Sequence, residues 1–231
     1  MNALSNIWNH LNWSVLTNMI LGVVPALFCI TLHELSHGYV AFLLGDTTAR
    51  DAGRLTLNPV RHIDPMGLVM MVVFRFGWAK PVPVNMYRFR NPKRGMALTA
   101  LAGPGANLLI GVVFLFVYGL LYYPIYVQGV KKLFWVLDMV KTTAWMSLAL
   151  MVFNLLPISP LDGSKVLYSF LPDRSYAMLM HYERYGMILL FALVATGVLG
   201  SPLSTAVEWV FGKLFFIAEG GFRLSKLLAG L

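Results

Sequence analysis

Residues 30–44 read ITLHELSHGYVAFLL, and inside this apolar run His33-Glu34-Leu35-Ser36-His37 spells H-E-x-x-H. On a helix, positions four apart share a face, so both imidazoles can reach one metal ion, while the glutamate beside the first addresses a water molecule there. Zinc suits such a pair. It takes imidazole nitrogen readily and in hydrolytic centres keeps one position for water, whose pKa it lowers toward ~7. Glu34 then stands where a general base is needed. The bland reading is that neighbouring helices satisfy these side chains. Burying an acid and two imidazoles without partners is costly, however, and a metal ion removes most of that cost.

Two histidines do not complete a hydrolytic centre, so a third ligand must come from elsewhere. Among the carboxylates outside the first helix, Asp162 stands out in NLLPISPLDGSKVL, where Pro157 and Pro160 interrupt a helix at membrane depth. Irregular backbone there is tolerated only inside protein or against a cavity. Two uses of Asp162 remain open: a ligand, or the N-cap of a helix beginning at Gly163. His62, in NPVRHIDP, reads as a residue that holds a turn, approaches the metal from a loop, or gates it. His10 and His181 have no motif around them and read as surface or interfacial residues. Cys29 is the lone cysteine; it cannot form an internal disulfide, and its place in an apolar span disfavours a thiol nucleophile.

The elements that position these groups are apolar and long. Of 231 residues, 58% are hydrophobic and 12% charged, with a mean hydropathy of +0.69. A soluble domain carries about 25% charged residues, so this chain has too little polar surface to cover itself in water and reads as an integral membrane protein. Spans are expected over 16–45, 96–123 and 133–157, with a fourth at 185–200 and a tail, 203–231, that crosses again or lies in the interface. The Val- and Phe-rich segment 68–78 is short for a span and reads as a strand or re-entrant segment; 81–90, with its alternating residues around two prolines, reads as an extended edge. The expected architecture is all-α: a three-helix core plus one or two further membrane helices, with a short membrane-associated β-hairpin or re-entrant segment after the first core helix. One integral-membrane domain covers 1–231, with its core at 19–165 and C-terminal helices at 185–231. The N-terminal MNALSNIWNHLNW lacks a basic region and a small-residue cleavage site, so no removable signal peptide is expected.

Charge sets the orientation. Nine of the 18 basic residues lie between Arg50 and Arg94, in short loops flanking apolar spans. That pattern fits the positive-inside rule and anionic lipid headgroups, not a nucleic-acid stripe. The 45–95 region is then cytoplasmic, and the histidines sit within the membrane nearer that side.

In H-E-L-S-H, in A-G-P-G-A-N at 102–107 and in N-L-L-P-I-S-P-L-D-G at 154–163, the chain resembles the site-2 protease family of intramembrane zinc metalloproteases. GRLTLNPVRHIDPMG and GWAKPVPVN are similar to its compact bacterial members, which lack an added PDZ or CBS domain. The resemblance implies one zinc ion held by His33, His37 and Asp162, Glu34 as general base, and Asn154 near the scissile carbonyl as a donor to the oxyanion or the substrate backbone. Asn107 lines the same cavity or packs beside Gly103. The implied partners are a transmembrane protein or peptide substrate and membrane lipids, in a bacterial plasma membrane; neither the substrate's identity nor an oligomeric state is readable. The rival reading is a membrane metal transporter or a metal-binding scaffold without proteolytic activity. Transport predicts polar residues strung along a path, whereas here they converge at one depth with an acid beside a ligand.

Overall fold

The computed structural model describes residues 13–74 and 77–230. Helix α1, Trp13–Leu43, runs through Pro25 without breaking. Its portion Met19–Leu43 is long and apolar enough to cross a membrane. Gly45, at φ +102°, closes it in the left-handed conformation that glycine adopts without steric cost. The polar stretch that follows folds into a short helix α2, Thr48–Asp51, and a 3₁₀ turn, Pro59–His62, capped by the Asn58 side chain.

The next segment corrects one of the two sequence readings, the strand. No strand occurs among the described residues; Pro65–Phe74 is a helix, α3. Pro65 suits a first helical turn, and the Asp64 carboxylate accepts from the Gly67 amide at 2.9 Å, so the start is capped. The Val- and Phe-rich composition favours a strand only where a neighbour completes the ladder; in apolar surroundings a helix satisfies its own backbone, and an isolated hairpin leaves its edges bare. Ten residues make a rod of ~15 Å, about half a bilayer core. The chain returns against it, with the Gly67 and Gly77 backbones in close contact with Gly77–Trp78 and Gly67, and the expected pairing shrinks to one antiparallel bridge between Ile63 and Ala79. From Ala79 to Asn85 no helix forms. This is the surviving part of the expected edge, and a 3₁₀ turn at Met86–Arg88 ends it.

Helix α4, Pro92–Tyr122, is the hub. Pro92 and the Asn91 side chain, which accepts from the Arg94 amide, fix its start. A π-helical turn, Tyr123–Val127, with Tyr122, Tyr126 and Phe134 stacked in series, leads to α5, Phe134–Asn154. Both α4, extended to Val127, and α5, extended back to Lys131, pass as membrane-spanning lengths, giving three with α1. Helix α4 packs on α1 and α5, on α6, Asp162–Ser169, and on the last helix, α9, Phe216–Leu228. Glycines permit these approaches. Gly111 receives Leu148, and a side chain at Gly119 would collide with the Ala218 backbone. Leu115, Ala144, Leu148 and Ala218 form the buried core at this crossing.

Helix α7, Asp173–Ala195, begins before the expected position 185 and bends by 66° near residue 184, the geometry of a broken span or a re-entrant loop. The tail forms α8, Gly200–Leu214, and α9. Each is shorter than a span.

Candidate metal centre

One turn of α1 carries His33 and His37 on the side facing α4, their rings edge to face with centroids 4.6 Å apart. Gly103 of α4 makes room for them; any side chain there would overlap both imidazoles. Asp162 reaches the same point from the loop after α5. Its Oδ2 lies 3.2 Å from His33 Nε2 and 3.1 Å from His37 Nε2, and the two Nε2 atoms are 3.0 Å apart. All three residues are at most 9% exposed.

The N-cap alternative for Asp162 is not what forms. Asp162 is the first residue of α6, Leu161 occupies the cap position, and the carboxylate turns to the imidazoles. The donor set fits a small divalent cation. Two nitrogens and a carboxylate oxygen meet without enough protons to bond one another, and tetrahedral zinc with bonds of ~2.0–2.2 Å would space its donors ~3.3 Å apart, close to the separations found.

The surroundings orient these donors. His37 Nδ1 donates to the Thr99 carbonyl at 2.6 Å, which leaves Nε2 free for a cation. His33 Nδ1 lies 3.1 Å from the side-chain nitrogen of Asn107. The Glu34 carboxylate accepts from the Val82 amide at 2.9 Å. Val82 belongs to the 79–85 segment, which Arg54 clasps through the Lys80 and Pro81 carbonyls and Asp46 pins through the Asn85 amide at 2.6 Å.

A cavity of about 460 Å³ opens onto Glu34, both histidines and Asp162, with Asn154 in its wall. Asn154 ends α5, and its amide donates to the Leu150 carbonyl at 2.9 Å, so it borders the site with its donor turned away. Lys165 and Glu183, 3.6 Å apart, form an ion pair in the wall toward α7.

His62 stays apart from the cluster. It is buried, bonds the Thr56 carbonyl through Nε2 at 2.9 Å, and offers its own carbonyl to the Lys80 amide, so it holds a turn. His181 is exposed against Tyr182; His10 lies outside the described residues. Sequence reasoning missed Thr99, Val82 and Arg54. The first two act through main-chain atoms, which no residue type announces, and the arginine counted only as a loop charge.

The sequence matches the profile of Peptidase family M50 over residues 19–198. It is 36% identical over 195 residues to YwhC of Bacillus subtilis, covering 81% of this chain and 83% of that one. It is 28% identical over 222 residues to Rip2 of Mycolicibacterium smegmatis, covering 90% and 80%; both relatives carry provisional zinc-metalloprotease names. Zinc metalloprotease MJ0392 of Methanocaldococcus jannaschii is 25% identical over 204 residues, covering 85% of this chain and 48% of that protein. No solved structure matches the chain. With the profile spanning most of its length, the chain belongs to peptidase family M50, the site-2 protease family.

Proposed function

We propose that this protein is an intramembrane zinc metalloprotease that hydrolyses peptide bonds in or beside membrane-spanning segments of other membrane proteins, as in regulated intramembrane proteolysis. One observation carries the reading: His33 and His37, on a helix long enough to cross a membrane, and Asp162, just beyond another, bring one donor atom each within 4.8 Å of one another, with the Glu34 carboxylate in the same cavity. Zinc held there supplies Lewis-acid chemistry, lowering the pKa of water toward ~7 and polarising a carbonyl oxygen.

The chain's own residues do the rest. Glu34, oriented by the Val82 amide, takes the proton of the attacking water and passes it to the leaving amine. Asn154 releases the Leu150 carbonyl and donates to the carbonyl oxygen as charge develops there. A substrate helix hides its carbonyls in internal hydrogen bonds and must unwind first. The segment 79–85 lies along the cavity and offers the unwound peptide an edge to pair with, shortened by the missing donors of Pro81 and Pro83 and by the Lys80 and Val82 amides, already bonded to the His62 carbonyl and to Glu34. The basic loops at 50–94 support a cytoplasmic orientation for this side of the molecule, with one domain carrying the whole machinery. A transporter or scaffold is not favoured: a structural metal has no use for a carboxylate held beside it.

Co-expression of the Glu34→Gln variant with candidate single-span substrates tests the reading. Loss of cleavage with zinc content retained is the expected result; unaltered cleavage removes Glu34 as the base.

A further inference from the structure

The proposed hydrolysis leaves Asn107 without a task, yet this residue is fully buried and its side chain touches a candidate ligand. Its Nδ2 stands 3.1 Å from His33 Nδ1, while its Oδ1 has no hydrogen-bond partner. An imidazole that offers Nε2 to a metal carries its proton on Nδ1, so the Asn107 nitrogen and the His33 nitrogen would face each other as two donors. A half-turn of the amide exchanges its oxygen and nitrogen within the same volume and places an acceptor opposite the ring N–H.

We propose that Asn107 is a positioning residue for His33, accepting a hydrogen bond from His33 Nδ1–H through its side-chain oxygen. The inference rests on His33 being a zinc ligand. Helix α4 then supplies an outer partner to each histidine of α1: the Thr99 carbonyl to His37 and the Asn107 amide oxygen to His33, with Gly103 between them giving the rings room. Thr99, Gly103 and Asn107 follow one another at four-residue spacing, the spacing of His33 and His37, so the two helices match turn for turn. The contact between α4 and α5 is separate. At Asn107 it includes the Ser147 hydroxyl, which donates to the Asn107 carbonyl at 2.8 Å.

Zinc affinity of the purified full-length protein, read by chelator competition, tests this with three variants. Asn107→Leu removes the acceptor while keeping the branched shape and heavy-atom count of the side chain, and is expected to weaken zinc binding about 10–100-fold. Asn107→Asp keeps an acceptor toward the ring and should bind zinc about as tightly as wild type. Ser147→Ala loosens the helix contact without touching the imidazole and should also leave affinity unchanged. Unchanged affinity in Asn107→Leu, weakened affinity in Asn107→Asp, or a loss in Ser147→Ala equal to that of Asn107→Leu overturns the proposal. If Asn107→Leu does not fold, Asn107→Ala takes its place with the same expected loss, and unchanged affinity there overturns the proposal. Wild-type protein that binds no zinc would instead overturn the proposed function.

Discussion

At the scale of single residues, the centre combines groups that the sequence displays with groups it conceals. H-E-x-x-H is visible because one helix holds all five residues in a row. Asp162 is 125 positions beyond His37 in the chain, and its local sequence, taken alone, favours a cap; only the fold turns its carboxylate to the imidazoles. Asp162→Asn keeps the shape and removes the charge that balances a divalent cation, so the purified variant is expected to lose most of its zinc, as metal analysis will report; full retention would remove Asp162 from the ligand set. Glu34→Gln should behave oppositely, keeping zinc while its cleavage rate falls by roughly 10²–10⁴-fold. The Thr99 carbonyl and the Val82 amide were not legible, because main-chain groups are the same at every position.

At the scale of elements, the site depends on how closely α4 approaches α1. Gly103→Ala puts a methyl group into the imidazoles, and overpacking of this kind costs ~1–3 kcal/mol. The expected outcome is weaker zinc binding with helix content unchanged by circular dichroism. The 79–85 segment depends on Asp46, which is shielded from solvent and accepts from Thr48 and from the Asn85 amide. Burial works to raise its pKa, but those hydrogen bonds and Arg88 outweigh burial and lower it. A carboxyl whose pKa is lower in the folded state contributes stability that is fully present above the unfolded value of ~3.9 and lost as pH falls through the folded value. Thermal unfolding of Asp46→Asn should therefore show a lower midpoint than wild type near neutral pH, with the gap closing in acid. The three long helices were legible from length and apolarity. Helix α3 was not, since Val and Phe favour a strand only where a partner strand exists, and the decisive Asp64 cap is a single hydrogen bond.

At the scale of the whole molecule, the fold is expected to outlast removal of the metal. The buried cluster of Leu115, Ala144, Leu148 and Ala218 joins α4, α5 and α9 away from the histidines, so chelation should stop cleavage while leaving helix content intact. The thermal midpoint should fall only by the ligand-binding contribution, which shrinks as free zinc is lowered; wholesale unfolding on chelation would contradict this. The tail was ambiguous in sequence because its apolar residues face two environments: Val207 and Ala218 are buried, whereas Trp209 and Phe216 are exposed. One contact also bears on how the protein should be probed. The group that steers Glu34 is a peptide N–H, and it survives every replacement of Val82 except proline. Alanine scanning across all 231 positions would pass over it in silence, whereas Val82→Pro, or an ester linkage at that position, would expose it.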